Sequence, residues 1–161
     1  MIVNIFDDNS VKDATPAFVK KIIDALPFIV DEGTLNALIS ILVCVCPTFE
    51  RRSSADNPIT LEFTNSEKEQ FYKEKLLFLT NRGSVYRLEK CMETIAVLLQ
   101  SPKTTDIFNE NDIDFILDIS IRELGVQNSV QARVETLKVI NIIMDLKKYW
   151  QFYNHRMPEL E

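Results

Sequence analysis

The sequence predicts an all-α fold: an armadillo- or HEAT-like stack of about six to eight helices, forming a single domain over residues 1–161. Apolar residues recur at helical spacing along nearly the whole chain. Three glycines are too few for the tight turns of an all-β domain, and no pair of them lies close enough to cradle a phosphate. The hydrophobic share of 46% is enough for one core without disulfide or metal staples.

The first helix follows an N-terminal segment of residues 1–14. Thr15 is placed to cap it, and Pro16 occupies a position where a missing N–H costs little. One face of this helix is apolar. Its members are Val19, Ile22, Ile23 and Leu26.

The second helix is predicted to begin at Thr34, acting as its cap, and to end at Pro47. The run 41–46 is rich in β-branched residues and also fits a buried strand. Its helical neighbours and the cap favour a helix. Residues 48–65 lack periodicity and read as an internal surface loop, with Ile59, Leu61 and Phe63 turned back toward the core.

Two further helices flank the turn Asn81-Arg82-Gly83. Ser66 and Glu69 form a capping box for the helix before it, and Gly83 suits a left-handed C-cap. Ser84 is predicted to cap the helix after it. The apolar stripe of that helix is Leu88, Cys91, Met92, Ile95, Leu98 and Leu99.

The last helices follow a short turn that opens at Ser101-Pro102 and ends near Phe108. Asn111 is predicted to cap the next helix and Gly125 to end it. Ser129 then caps the final long helix. The predicted buried side of that helix is Val130, Val134, Leu137, Ile140 and Met144.

Charge and cysteine content exclude several functions. The net charge of −6 disfavours nucleic acid and anionic membranes as main partners. The apolar run Ala37–Cys46 is too short to cross a bilayer. Cys44, Cys46 and Cys91 lie in apolar runs and read as buried thiols of a reducing, cytoplasmic compartment, with no metal-ligand spacing.

Enzymatic chemistry has little support in the sequence. The single histidine, His155, would have to serve as the base of any triad, and no nucleophile elbow occurs. Paired acids such as Asp112 and Asp114 sit at a helix start, where acids usually serve the helix dipole. We therefore expect no catalytic residue, no metal and no cofactor.

An ordered set of short motifs gives the chain a resemblance. Asn57-Pro58 precedes a Leu-rich helix that ends in Asn81-Arg82-Gly83, and Ser101-Pro102-Lys103-Thr104 follows the next helix. Then come the pair Asp118 and Arg122 and a tail, Tyr153 with residues 155–160. In this order the motifs resemble the leucine-rich, armadillo-like domain of the actin regulators that comprise the animal Nck-interacting protein with an SH3 domain (WISH or DIP) and its fungal Dip and Ldb relatives.

The resemblance implies a partner. Members of that family bind the actin-related protein 2/3 complex and activate it without a mother filament, so that it nucleates linear actin filaments. They use no cofactor, and their place is the cytoplasmic actin cortex or cytoskeleton. The partner would be the complex, with actin reached indirectly.

Residue roles follow from the same resemblance. Arg82, His155 and Arg156 are the candidate partner contacts. A second group forms the structural motifs of the family. Its members are Asn81, Gly83, Pro102, Asp118 and Arg122.

Three alternatives stay open. Family members carry further helices before this region, so binding without activation is one alternative. A generic helical scaffold that binds a peptide or helix, without nucleation activity, is another. An uncharacterised enzyme is the third, and a deep pocket lined by converging polar groups would favour it. The sequence also does not decide between a monomer and a homodimer.

Overall fold

A computed structural model describes residues 14–52, 57–62, 66–82, 85–101 and 104–146. Within these ranges the chain forms seven α-helices and two 3₁₀ turns, at Leu26–Phe28 and Thr105–Ile107, and no strand. The all-α prediction is confirmed, and the run 41–46 is helical. The α-helices are α1 (Pro16–Ala25), α2 (Glu32–Arg52), α3 (Pro58–Glu62), α4 (Ser66–Arg82), α5 (Val85–Gln100), α6 (Glu110–Val126) and α7 (Val130–Asp145).

The helices stack in two layers. In one layer α5 lies between α2 and α7, and its packing against α7 is the most extensive contact between any two helices of the described ranges. In the other layer α4 contacts α6. Three helical hairpins, α1–α2, α4–α5 and α6–α7, bridge the layers, and the short α3 packs on α1 and α2. This arrangement of stacked hairpins is the architecture of armadillo- and HEAT-like stacks.

The first helix forms as its sequence predicts. The Thr15 hydroxyl accepts a hydrogen bond from the Phe18 N–H, and Pro16 occupies the first turn. The predicted face of Val19, Ile22, Ile23 and Leu26 is buried. Only the last of these residues leaves the α-helix, in the 3₁₀ turn that begins at Leu26.

The cap of α2 is Asp31, and the prediction of Thr34 is wrong. Helix α2 begins at Glu32, and the Asp31 carboxylate accepts the Thr34 N–H at 2.6 Å. Hydrogen bonds from the side chain and the backbone of Thr34 hold the pKa of the Asp31 carboxyl below its usual value of 3.8. A carboxylate also matches the positive end of the helix dipole, which a threonine hydroxyl does not.

Pro47 does not end α2, which continues to Arg52. A proline inside a helix removes one hydrogen bond to the carbonyl four residues earlier. That carbonyl belongs to Val43, and the hydroxyl of the buried Thr94 on α5 donates to it at 3.0 Å. Because a neighbouring helix supplies the missing donor, the proline is tolerated.

The predicted loop over residues 48–65 is also wrong in its described parts. Residues 48–52 extend α2, and Pro58–Glu62 form α3. Ile59 is buried as predicted, but Leu61 is exposed and Phe63 lies outside the described residues.

Asn57 holds α3 against α2. Its side chain is fully buried and donates from Nδ2 to the Cys46 carbonyl at 3.1 Å. Its Oδ1 accepts the Ile59 N–H at 3.1 Å at the start of α3. One amide therefore anchors the beginning of the short helix on the second half of α2, and this gives the Asn57-Pro58 motif a structural role.

The cap of α6 is Asn109 rather than Asn111. The Asn109 side chain accepts the Asp112 N–H at 3.0 Å, and Asp112 Oδ2 accepts the Asn109 N–H at 3.0 Å. This reciprocal pair is a capping box. The helix also passes Gly125 and ends at Val126, so the prediction that Gly125 terminates it is wrong by one residue.

Helix α7 has the predicted cap but a different buried face. The Ser129 hydroxyl accepts the Ala132 N–H at 3.2 Å. Of the predicted face, Ile140 is buried and Met144 half-buried, whereas Val130, Val134 and Leu137 are exposed. The side that packs inward is Ala132, Glu135, Thr136, Val139, Ile140 and Ile143.

Helix α2 is a largely apolar helix of the core. By length and composition, Glu32–Phe49 has the character of a membrane span, yet 56% of it is buried inside the fold. Contacts with α1, α3, α4 and α5 account for that apolar composition. The three cysteines lie in this core and form no disulfide. Burial, followed by the electrostatic influence of these thiols, raises the pKa of the Tyr72 hydroxyl well above 10.0.

Candidate interaction surface

Two polar contacts hold α4 and α6 side by side. Lys73 Nζ donates to Asp112 Oδ2 at 2.7 Å, and Arg122 Nη1 donates to Asn81 Oδ1 at 2.9 Å. The later residue of α4 bonds to the later residue of α6, so the two helices run in the same direction. The contacts are eight residues apart on α4 and ten on α6, which corresponds to roughly 12–15 Å along the axes.

The contact between Lys73 and Asp112 is a nearly buried ion pair. The Lys73 side chain is 5% exposed and that of Asp112 is 16% exposed. Asp112 also belongs to the capping box of α6, so one carboxylate both fixes the start of α6 and binds α4. The relative position of the two helices is therefore fixed at one end by a charged group that is itself held in place.

The contact between Arg122 and Asn81 is one of several hydrogen bonds that the Arg122 guanidinium donates. Besides Asn81, its guanidinium donates to Glu123 Oε1 from Nε at 3.0 Å and from Nη2 at 2.8 Å. Asp118 is exposed one turn earlier on α6, on the same side as Arg122. Arg122 therefore reaches across to α4 and binds Asn81, which lies 41 positions earlier in the chain and belongs to the motif Asn81-Arg82-Gly83.

Phe78 is an aromatic side chain between two cations. The residue is 39% exposed, although its neighbours Leu77 and Leu79 are buried. The Arg82 guanidinium lies 5.3 Å from the ring centroid and the Lys75 ammonium 5.9 Å from it. Both distances fit cation–π contacts, which orient the two cations on the surface of α4.

Four of the candidate residues lie on the surface that α4 and α6 form: Asn81 and Arg122 bond to each other, and Arg82 and Asp118 are exposed on the same two helices. We name this surface the α4–α6 face. It consists of Lys75, Phe78, Asn81, Arg82, Asp118 and Arg122. The remaining candidates, Gly83, Pro102, His155 and Arg156, lie outside the described residues.

Sequence reasoning missed Lys75 and Phe78. Phe78 stands inside a run of apolar residues, which suggests a core position. The sequence does contain a signal for Phe78: it lies three residues after Lys75 and four before Arg82, and residues at these spacings share one side of a helix.

The α4–α6 face combines groups that are typical of protein recognition. It presents a ring, cations, a carboxylate and an amide on a surface fixed by the two contacts described above. Over the described ranges, no group of three or more histidine, cysteine, aspartate or glutamate side chains is placed to hold a metal ion. A fixed polar and aromatic surface on a helical stack defines a class, the helical-repeat protein-interaction domains.

Comparison with known proteins places the chain within that class. The model of the SPIN90/Ldb17 leucine-rich domain family matches residues 31–160. The chain belongs to this family, and membership indicates an actin-related role. The predicted resemblance is thereby confirmed. No curated protein matches the chain. No solved structure matches it either.

Proposed function

We propose that this chain binds the actin-related protein 2/3 complex through the α4–α6 face and activates it to nucleate linear actin filaments. Family membership over residues 31–160 supports the partner. The observation that supports the surface is the hydrogen bond between Asn81 and Arg122, since it joins two motifs that lie 41 positions apart in the chain and whose other members, Arg82 and Asp118, are exposed.

The fixed geometry of this face suits an activator. An activator shifts an equilibrium only if it binds the active arrangement of its partner more tightly than the inactive one. The contacts Lys73–Asp112 and Asn81–Arg122 hold α4 and α6 at one spacing. A surface of fixed spacing that contacts two subunits favours the state in which the subunits match it. The protein would act in the cytoplasm at the actin cortex.

The experiment is actin assembly followed by fluorescence, with purified complex and with neither preformed filaments nor another nucleation-promoting factor. We expect faster assembly that requires both this protein and the complex. Arg82→Glu should remove most of the acceleration and weaken capture of the complex. Adding Arg156→Glu, the second candidate cation, should weaken capture further.

The matched control is Lys21→Glu. Lys21 is also an exposed cation on a helix, but it lies on α1, away from the α4–α6 face. Equal losses in Lys21→Glu and Arg82→Glu would count against the face, because net charge alone would then explain them. Unchanged affinity in the Arg82→Glu and Arg156→Glu double variant, with folding intact by circular dichroism, would rule it out.

A pull-down separates binding from activation. Capture of the complex without acceleration would leave a binder that does not activate. Failure of both capture and acceleration would reject the proposal and leave a helical scaffold with a different partner.

A further inference from the structure

Helix α7 carries an apolar stripe on its outer side. Val130 is 76% exposed, Leu137 53% and Val134 39%. These residues are four and three positions apart, so they lie on one side of the helix. The side that packs into the core, which includes Ala132, Thr136, Val139 and Ile143, lies about 180° around the helix axis from the stripe.

The stripe has the spacing of a coiled-coil seam. From Val130 to Val134, Leu137, Asn141 and Met144 the steps are four, three, four and three residues; the first four are exposed, and Met144 is half-buried against the core. This alternation corresponds to d, a, d, a and d positions of a heptad, and it presents a seam to a second helix. Asn141 then occupies an a position, where a polar residue specifies the register of the partner helix at a cost in stability.

The stripe lies at the end of a layer. In the layer α2–α5–α7, α5 covers the inner side of α7, and Val130, Val134 and Leu137 on its outer side are exposed among the described residues. Helical stacks ordinarily end in a polar outer face, because an apolar one invites association. An outer face with Val130, Val134 and Leu137 is therefore suited to a further helix.

The charges beside the stripe define the chemistry of that helix. Arg133 occupies a g position and Lys138 the following e position, and both are exposed beside Val134 and Leu137; the exposed Asp145 occupies the next e position, beyond this exposed apolar part of the stripe. Lys138 Nζ pairs with the buried Glu135 at 2.8 Å, which orients the lysine but leaves its side chain 56% exposed. In a chain with a net charge of −6, two basic residues at the flanking positions favour acidic residues on the partner.

The same positions disfavour a second copy of this chain. In a parallel pair of heptad helices, a g residue faces the e residue that follows it on the other helix. Arg133 would then face Lys138 of the other copy, and like charges at such positions repel. The charge pattern thus favours a different chain over self-association.

From these observations we infer that the α7 stripe binds an amphipathic helix of another protein, with apolar residues at its a and d positions and glutamate or aspartate at its e and g positions. This inference concerns a surface separate from the α4–α6 face. It holds or fails independently of the proposed action on actin.

The probe is a synthetic three-heptad peptide with leucine and valine at the a and d positions, one asparagine at a central a position and glutamate at the e and g positions. Its binding to the full chain is measured by fluorescence anisotropy, beside a peptide with lysine at the e and g positions. We expect the glutamate peptide to bind at least about tenfold more tightly than the lysine peptide.

Leu137→Glu should weaken the binding of the glutamate peptide by at least about tenfold, since it places a charge in the centre of the seam. Val30→Glu is the matched control: Val30 is 98% exposed, outside the stripe, and its substitution should leave binding unchanged. Arg133→Glu should reduce the preference for the glutamate peptide.

Three outcomes would overturn the inference. The first is equal binding of both peptides, or equal binding by the parent and Leu137→Glu. The second is a dimer in sedimentation that Leu137→Glu abolishes, which would assign the stripe to a second copy. The third is no peptide binding together with a lower unfolding midpoint in Leu137→Glu, which would mean that the chain itself covers the stripe.

Discussion

The hydroxyl of Thr94 on α5 donates to the carbonyl of Val43 on α2 at 3.0 Å, and Val43 is the residue whose helical donor Pro47 removes. A defect within one helix is thereby satisfied by a side chain from another. The contact also lies in the interface between α2 and α5, where Thr94 is fully buried. The continuation of α2 past its proline therefore depends on the packing of the stack.

Replacing Thr94 tests this relationship. Thr94→Val keeps the shape but removes the donor, and leaving the Val43 carbonyl unsatisfied should cost about 1–3 kcal/mol in the free energy of unfolding. Thr94→Ser keeps the hydroxyl and should cost less. The measurement is urea denaturation followed by circular dichroism.

A double substitution makes the test sharper. Pro47→Ala restores an N–H that can reach the Val43 carbonyl, so Thr94→Val should cost less in that background than in the parent. An equal cost in both backgrounds would show that the hydroxyl does not compensate for the proline.

Breaking the Lys73–Asp112 pair should cost more than removing another lysine of the same helix. Lys73→Met leaves a nearly buried carboxylate without its cation, and we expect a loss of about 3 kcal/mol in the free energy of unfolding. Lys75→Met is the matched control, because Lys75 is a half-buried lysine of the same helix. It should cost less than about 1 kcal/mol, the value of an exposed cation–π contact. Similar losses in the two variants in urea denaturation would contradict this ranking.

Asn57 should tolerate neither the removal of its amide nor its replacement by a charged side chain. Asn57→Ala removes the donor to the Cys46 carbonyl and the acceptor for the Ile59 N–H, with an expected cost of about 2 kcal/mol. Asn57→Asp keeps the acceptor but sets a carboxylate against the Cys46 carbonyl oxygen, so it should destabilise at least as much near neutral pH. Thermal unfolding of both variants checks the order, and an aspartate variant as stable as the parent would refute the assignment of the donor.

Two carboxyl groups, those of Asp24 and Asp31, should make the stability of the fold sensitive to acid. The hydrogen bond from Lys68 to Asp24 and those from Thr34 to Asp31 lower both pKa values from 3.8. In the unfolded chain these groups take up protons at higher pH than in the folded chain, so protonation favours unfolding. Their stabilising contribution is present above pH 3.8 and is lost as the pH falls through the lower, folded pKa values.

The double variant Asp24→Asn, Asp31→Asn checks this direction. It should be less stable than the parent near neutral pH, and its urea midpoint should change less between about pH 6 and about pH 3. A pH dependence identical to that of the parent would assign the acid sensitivity to other carboxyls.

Replacing Phe78 should weaken partner binding without a large change in the free energy of unfolding. Phe78→Leu keeps an apolar side chain on α4 but removes the ring that orients Arg82 and Lys75. Affinity for the actin-related protein 2/3 complex should fall several-fold, while the free energy of unfolding changes by less than about 1 kcal/mol. Binding and urea denaturation are measured on the same preparation, and a loss of both in proportion would indicate a purely structural role.

Features set by neighbouring residues were predictable from the sequence. The cap at Thr15, the cap at Ser129 and the stripe of α5 depend on contacts within a few positions, and each is present. The cap of α6 was ambiguous for a local reason. Asn109 and Asn111 are each followed three residues later by an aspartate, so both fit a capping box.

Features set by distant residues were not predictable. Pro47 is read from the sequence as a helix end, because the sequence does not show that Thr94, 51 positions after Val43, donates to the Val43 carbonyl. The buried side of α7 could not be chosen because apolar residues lie on both sides of the helix. The motif residues Asn81 and Arg122 were found, but their contact across two helices required the tertiary structure.

The burial of all three thiols has a practical consequence for measuring motion. Cys44, Cys46 and Cys91 are enclosed by the core, and a thiolate must meet a reagent before it is alkylated. Labelling under native conditions therefore reports how often the core opens, with no engineered probe. Followed by mass spectrometry at increasing urea, the rates at cysteines on α2 and α5 show whether these two helices separate in one cooperative step or in succession.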